Sequence, residues 1–570
     1  MENSNHSKFD EVTEYLQRTD LNQGLISEER ATELRHVLQN MSEMTKLSEN
    51  RSLMTETALL KLCRLLDGFH TQATSSVTDD SMMTNESLML TCTWCLRCLR
   101  NSCVQSPLNQ KTIWNAGAVK FLKQLIIFIS AAPHPIQEDN AVCLRCAIQL
   151  LGNLLSGQSE LLSVTWQDIF PQMCLSVFQC ADSKASQYLC MVIQMSLQDI
   201  PVSDTKQLWT CDDGYQLIEA ILTLSEKETG QDFSLKLLQR LIYIPEFVPS
   251  VFSHLSPSCQ VVLLDIIAVY VTHGETPEPS YMQHGQPSYM QHGQPSYMQH
   301  GQPSYMQHGQ PSYMQHGQPS YMQHGQPSYM QHGQPSYMQH GQPSYMQHGQ
   351  PSYMQHGQPS IPISYMLSLA EVFEHEADTV FSLVSEEQWC NIKEQKKPEL
   401  VMKLLSLLCE ASCQPAVSST LLQRMSLLEC SLDLLDRANK AGKKDKNIFS
   451  CTQTSDDSIS QTNPVFGFKR DLVRLIGNMC HNHKANQNKV RELHGIPVIL
   501  EQSNIDSTNP FISQWAIFAI RNLCDGNPDN QAVVAEMTNK GVVNNDTLQQ
   551  YGFQAEMREG KMYYKTTTKK

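Results

Sequence analysis

Cysteine and histidine are the residues whose types and spacing first suggest chemistry. Two Cys-Leu-Arg-Cys tetrapeptides, Cys95–Cys98 and Cys143–Cys146, each have the internal spacing of a zinc-ligand pair. The stretch between them is far longer than a compact four-cysteine site allows. Each also lies in a helical pattern, where cysteines three residues apart share a face, so they read as reduced, buried thiols. Cys480-His481-Asn482-His483 directly follows a helical run and reads as a loop with incidental histidines. Ten more histidines recur in ten identical copies of Pro-Ser-Tyr-Met-Gln-His-Gly-Gln, from Pro279 to Gln358, a form that would suit copper. Perfect identity between copies is what tandem duplication leaves, however, and the tract reads as a passive linker. No metal and no cofactor are expected.

Other catalytic signatures are missing from the sequence. It has no phosphate-cradling glycine loop, no His-Glu-x-x-His, no nucleophile elbow and no acid pair at a credible spacing, so an enzyme is the weaker expectation. A net charge of −15 and a pI near 5.7 disfavour nucleic acid, which calls for a basic patch against phosphates. Met1 to Asp10 is polar, without the apolar segment of a secretory signal. Val261–Val271, the longest apolar stretch, is broken by Asp265 and falls short of the ~20 residues that cross a bilayer. A soluble, cytosolic chain without membrane insertion is the resulting expectation, and its 19 cysteines should be reduced.

The elements that would position any site are helices. Leu144, Ala147, Ile148, Leu151, Leu154 and Leu155 keep the spacing of one helix face, as do Leu472, Leu475, Ile476 and Met479. Ile512, Trp515, Ala516, Ala519, Ile520 and Leu523 repeat the pattern. Lys469 is assigned to the polar side of its segment, so Lys469→Asp is expected to be mild. Outside the octapeptides 490 residues remain, too many for one ordinary core but suited to a solenoid that adds core by adding repeats.

A second pattern lies over the first. Asn101, Asn478 and Asn522 each end an apolar helix, and eight residues later come Asn109-Gln110, Asn486-Gln487 and Asn530-Gln531. Ile113, Val490 and Val534 follow each Gln by three residues, and Gly117 and Gly495 open the next apolar runs. Asn153 matches the first asparagine without its Asn-Gln. The 44 residues from Asn478 to Asn522 fit the period of armadillo or HEAT repeats. Leu-Arg-Asn or Ile-Gly-Asn, then Asn-Gln-x-x-Val, then Gly-Ile-Pro-x-Ile-Leu resembles the armadillo repeat. Cys98-Leu99-Arg100-Asn101, Asn447-Ile448-Phe449-Ser450, Gly467-Phe468-Lys469, Leu475-Ile476-Gly477-Asn478, Asn509-Pro510-Phe511 and Ala519-Ile520-Arg521-Asn522 bring it closer to the ataxin-10 family.

The fold so implied is an all-α, armadillo-like right-handed superhelix interrupted by a long disordered low-complexity loop. Its regions are a helical 1–90, an armadillo-like block 91–272, the linker 273–363, a second block 364–550 and a tail 551–570. Phe553 to Lys565 could close as a hairpin around Arg558-Glu559-Gly560. In armadillo proteins, asparagines on the groove helix can hold a peptide backbone, which makes Asn101, Asn153, Asn478 and Asn522 candidate protein-binding residues. The favoured reading is plainer: each asparagine caps its helix or bonds to a neighbouring repeat. Trp94 and Trp515 lie seven residues before two of them and could continue a binding stripe or simply pack. Thr454 and Ser455, before Asp456-Asp457, have the form of acid-directed phosphorylation sites, and an unmodified linker accounts for them equally.

The expected role is a non-catalytic cytosolic scaffold. The resemblance implies neuron survival and neurite outgrowth through Ras–MAP kinase signalling, and cytokinesis. It also implies contacts with a G-protein β subunit and O-GlcNAc transferase, self-association into a homo-oligomer, and cytoplasmic, perinuclear, centrosomal, basal-body or midbody locations. The alternative is an importin-like receptor for basic peptides. Such grooves place Trp four residues before Asn in successive repeats, which this chain does not do.

Lengthening a loop from about 10 to about 90 residues costs on the order of 2 kcal/mol in closure entropy. Deleting Pro279 to Gln358 is therefore expected to leave helical content per molecule unchanged and the thermal midpoint equal or slightly raised. A circular-dichroism melt checks this, and a large loss of cooperativity would show that the tract is structural.

Overall fold

The computed structural model describes residues 14–15, 28–74, 85–132, 136–227, 232–273, 362–383, 397–444, 447–450, 465–504, 506–537, 553–558 and 561–566. The octapeptide tract and the Thr454-Ser455 segment lie outside them. Two compact units emerge, one ending at Leu241 and the other built from Ile242–Gly274 and Ser360–Lys570.

In the first unit the chain runs through α1 (Glu28–Thr45), α2 (Glu56–Thr74), α3 (Asn85–Cys103), α4 (Pro107–Asn115), α5 (Ala118–Ser130), α6 (Glu138–Leu155), α7 (Ser159–Ile169), α8 (Gln172–Gln179), α9 (Ser183–Asp199), α10 (Asp212–Ser225) and α11 (Phe233–Leu241). The recurring unit is a short helix, a second helix and a longer third, as in α4–α5–α6. Third helices stack on one another in the order α1, α3, α6, α9, α11. Their apolar faces are buried, with Leu99, Leu144, Ala147, Leu151, Leu154 and Leu189 all withdrawn from solvent.

The second unit contains α12 (Phe247–Val251), α13 (Pro257–His273), α14 (Ile363–Glu376), α15 (Lys397–Ser412), α16 (Pro415–Leu421), α17 (Met425–Lys444), α18 (Phe468–Cys480), α19 (Lys484–Glu492), α20 (Gly495–Leu500), α21 (Ile512–Cys524) and α22 (Pro528–Glu536). Here the stack is α13, α15, α18, α21. The sequence reading grouped residues up to 272 with the preceding helices, whereas the compact unit begins at Ile242. Side-chain bonds explain the difference: Lys403 on α15 binds Asp265 on α13, Gln414 donates to the Val271 carbonyl, and the Tyr365 hydroxyl on α14 donates to the Ile244 carbonyl. In sequence, then, the tract interrupts a single packed unit instead of joining two. Near the chain end β1 (Phe553–Arg558) pairs antiparallel with β2 (Lys561–Thr566), Arg558 facing Lys561, which is the hairpin expected there.

Amide side chains join the repeats. Every helix end leaves carbonyls without an intrahelical partner, and stacking buries them. Asn101 Nδ2 donates to Ser42 O at 3.0 Å, Asn153 Nδ2 to Arg100 O at 3.0 Å and Asn522 Nδ2 to Gly477 O at 2.9 Å, each reaching the preceding third helix. The Asn-Gln pairs then work in opposite directions. Asn109 reaches back to Arg51 O and its own repeat's Ser102 O, as Asn486 does to Leu422 O and Met479 O. Gln110 reaches forward to Asn153 O and Ser156 O, and Gln487 forward to Asn522 O and Asp525 O. One motif therefore performs the same joinery in both units.

Stacking is tight between α18 and α21. A Cβ at Gly477 would lie 3.1 Å from Ala519 Cβ and 3.2 Å from its Cα, so any side chain there pushes the helices apart. Gly495 is confined similarly, by Leu432 Cδ2 at 2.7 Å and Val490 Cγ1 at 2.9 Å.

Gln487→Ala is expected to strand the carbonyls it serves and cost ~1–3 kcal/mol, seen as a lower midpoint in denaturant unfolding, with Asn522→Ala a similar loss. Unchanged midpoints in both variants would mean that water replaces the joinery at no cost.

Candidate functional site

The sequence-predicted asparagines are largely consumed by structure. Asn101, Asn153 and Asn522 are buried, with their amide donors engaged between repeats as described. Asn478 is half-buried, and its Nδ2 donates to Ser412 Oγ at 2.9 Å on the neighbouring α15. Trp94 and Trp515 are half-buried on α3 and α21, one in each unit.

Within the second unit a ridge crosses three stacked helices. Glu410 on α15 accepts from Arg474 Nη1 on α18 at 2.8 Å, and the Arg474 Cζ lies 5.2 Å from the Trp515 ring centre on α21. The Phe518 ring meets Trp515 edge-on at 5.7 Å. Trp515 and Phe518 neighbour each other on α21, and Phe511, four residues before Trp515, stands at the helix N-cap with a left-handed φ of 65°. Phe511 is half exposed, at 51%, and the other two are partly exposed. Periodicity alone had marked Trp515; the flanking Arg474 and Glu410 only become neighbours through stacking.

Lys469 is a correction. It is 6% exposed, and its Nζ lies 2.7 Å from Asp506 Oδ2 and 3.3 Å from Phe449 O. Asp506 also accepts from Thr508 N, Thr508 Oγ1 and Asn509 Nδ2. Asn509 Oδ1 in turn accepts from Arg470 N, and Gly467 N donates to Thr508 O at 2.8 Å. Phe449 and Phe468 pack beside them, with ring centres 6.3 Å apart. Three segments distant in sequence, around Phe449, Gly467–Lys469 and Asp506–Asn509, thus close on one buried ion pair. The polar-side assignment failed because the helix start, where Lys469 sits, is covered by two loops that periodicity does not register.

In the first unit α3 carries Trp94, Arg97 and Arg100 at three-residue intervals. The Arg97 Cζ lies 4.4 Å from the Trp94 ring centre, and Arg100 Nη1 donates to Gln149 Oε1 on α6 at 2.6 Å. Cys95, Cys98, Cys143 and Cys146, which share these sequences, are buried. Cys95 and Cys98 donate to the Leu62 and Leu38 carbonyls, and burial pushes both thiols well above their ordinary pKa. His483 caps α19, its ring nitrogen accepting from Asn486 N. Among the described residues no group of three or more His, Cys, Asp or Glu could hold a metal ion, and no single helix is long and apolar enough to cross a membrane.

An array of helical repeats whose end carbonyls are satisfied by amides of the adjacent repeats is an armadillo-like α-solenoid. Comparison with known proteins narrows the class. Residues 468–565, from α18 to β2, match the "Spinocerebellar ataxia type 10 protein domain". Ataxin-10 of Xenopus tropicalis is 28% identical over 83% of this chain and 80% of its own length. Ataxin-10 of Homo sapiens is 26% identical over 93% and 94%. The ataxin-10 homolog of Dictyostelium discoideum is 42% identical over 105 residues, 18% of this chain and 17% of its own. The chain is thus similar to ataxin-10 proteins over most of its length.

Lys469→Asp, set against the buried Asp506, is expected to cost several kcal/mol, about 3–5 for an uncompensated buried charge, and to unfold much of the second unit. Lys469→Met combined with Asp506→Asn should recover part of that loss, because it removes both charges and keeps a carbonyl acceptor for Thr508 and Asn509. Thermal melts of the single and double variants decide the matter: a Lys469→Asp midpoint equal to the parent's would place that lysine in solvent.

Proposed function

We propose that the chain is a non-catalytic adaptor that binds protein partners on its armadillo-like surface. The observation that carries this reading is the group of Phe511, Trp515 and Phe518 beside the Arg474–Glu410 pair. Partly exposed aromatic and arginine side chains on a rigid helix face have the composition of an interface hot spot. Similarity to ataxin-10 proteins supports the same reading. By that resemblance, the candidate partners are a G-protein β subunit, O-GlcNAc transferase and further copies of the chain. The roles would be neuron survival and neurite outgrowth through Ras–MAP kinase signalling and cytokinesis, in the cytoplasm and around the nucleus, centrosome, basal body and midbody. Thr454 and Ser455 remain proposed phosphorylation sites.

The importin-like alternative finds less support. Asn522 is already committed to Gly477 O, and the cation beside Trp515 is Arg474, which would repel a lysine-rich ligand.

Trp515→Ala and Phe511→Ala in the full chain are expected to weaken capture of the purified G-protein β subunit or O-GlcNAc transferase without shifting the unfolding midpoint appreciably. Full retention of both partners by both variants would sink the assignment of this face. A basic nuclear-localisation peptide should bind only weakly and lose that binding as salt rises. Salt-resistant binding of that peptide, abolished by Trp515→Ala, would install the receptor reading instead.

A further inference from the structure

Cys-Leu-Arg-Cys occurs twice in the chain, and the fold treats its two arginines differently. Arg145, in the second copy, is held by carboxylates: its Nε and Nη2 bind Asp182 at 3.1 and 2.6 Å, and its Nη1 binds Glu138 at 2.9 Å. Arg97 holds the same place in the first copy. Among the described residues no carboxylate lies within ion-pair distance of it, and its cation rests against the Trp94 face at 4.4 Å. Arg424, Arg437, Arg470 and Arg474 are also matched by acids.

Arg100, one turn further along α3, repeats the anomaly in a drier place. It is only 8% exposed. Its hydrogen bonds go to Gln149 Oε1 at 2.6 Å and to Asn101 Oδ1 at 3.1 and 3.2 Å, both neutral groups. Burial, and then the adjacent Arg97 charge, push its pKa down; the other groups acting on it are the Cys146, Cys98 and Tyr188 side chains. Two like charges one turn apart, one of them buried, with no described acid beside them, form an electrostatic arrangement that a neutral strut between α3 and α6 would not require. A guanidinium adds what such a strut lacks, a planar fork of donors matched to a carboxylate.

We infer that Arg97 and Arg100, beside the Trp94 ring, receive the carboxylates of an acidic peptide segment of a partner protein, laid across α3 and α6. Charge complementarity selects this occupant: an anion supplies the missing counter-charge and accepts the donors that Gln149 and Asn101 leave unused. A nucleic acid is the poorer fit, since a chain of net charge −15 repels polyphosphate and two cations anchor few of its charges. The inference deepens the adaptor reading and rests on it for the existence of a partner.

Titration of the full chain with a fluorescent poly-glutamate peptide tests the site, with a poly-glutamine peptide and a phosphoserine-containing peptide as further probes. Poly-glutamate should bind and poly-glutamine should not. Arg97→Gln, at a half-buried position, is expected to weaken the complex by about ten-fold, and Arg100→Gln by at least as much. Lys440→Gln, which removes one fully exposed positive charge from the other unit, should leave affinity unchanged. Equal weakening by Lys440→Gln, or unchanged affinity in Arg97→Gln, would overturn the proposal, the first by showing diffuse attraction. Tighter binding of the phosphoserine peptide would overturn the carboxylate assignment in favour of a phosphorylated segment. A purely structural role for Arg100 would lower the melting midpoint of Arg100→Gln while leaving poly-glutamate affinity intact, and that result also counts against the site. Failure of the Trp515 and Phe511 capture experiment would remove the adaptor reading of the other unit without altering this titration.

Discussion

Buried helix-end carbonyls are the constraint on which the array depends. A solenoid gains its core by stacking, and stacking removes water from those groups, so each repeat must supply donors to its neighbours. Asn and Gln amides do this economically, because one Nδ2 or Nε2 group serves two carbonyls and carries no charge to desolvate. Gln487 and Gln110 span forward while Asn486 and Asn109 span back, and the third-helix asparagines complete the ladder. The close approach at Gly477 follows from the same need, since Asn522 reaches the Gly477 carbonyl across that contact.

This joinery limits what the surface can do. Asparagines that might hold a peptide are already engaged between repeats, which leaves recognition to side chains that project beyond the ladder. In the second unit those are aromatic and arginine residues, with Arg474 tied to Glu410. In the first unit the corresponding face offers Trp94 and Arg97 without such an acid, with the buried Arg100 held by Gln149 and Asn101 behind them. The two faces therefore differ in charge although they are built on the same repeat.

The buried Lys469–Asp506 pair does a different job. Two loops, Asn447–Ser450 and Asp506–Asn509, converge on one ammonium, which together with the buried Phe449 ring fixes them to the start of α18. Removing one partner would leave a charge stranded, which is why a residue assigned to a polar face proves intolerant. These segments are also among those that carry the resemblance to ataxin-10 in sequence, so part of that resemblance is a folding signature.

Sequence by itself determined the helices, because a 3.6-residue apolar period marks faces such as Leu472–Leu475–Ile476–Met479 without reference to anything distant. It also determined the repeat, through the fixed Asn to Asn-Gln interval, and the terminal hairpin, through a turn flanked by strand-formers. Tertiary structure alone decided where the units divide, since the placement of residues 242–274 depends on Asp265, Val271 and Ile244 meeting partners more than a hundred residues away. Stacking likewise decided that Lys469 is buried, that Arg474 faces Trp515, and that the two Cys-Leu-Arg-Cys arginines have opposite surroundings. Attention to the cysteines of that tetrapeptide hid the arginines, because whether a charge is matched depends on residues brought near by other repeats, and local spacing contains no record of them.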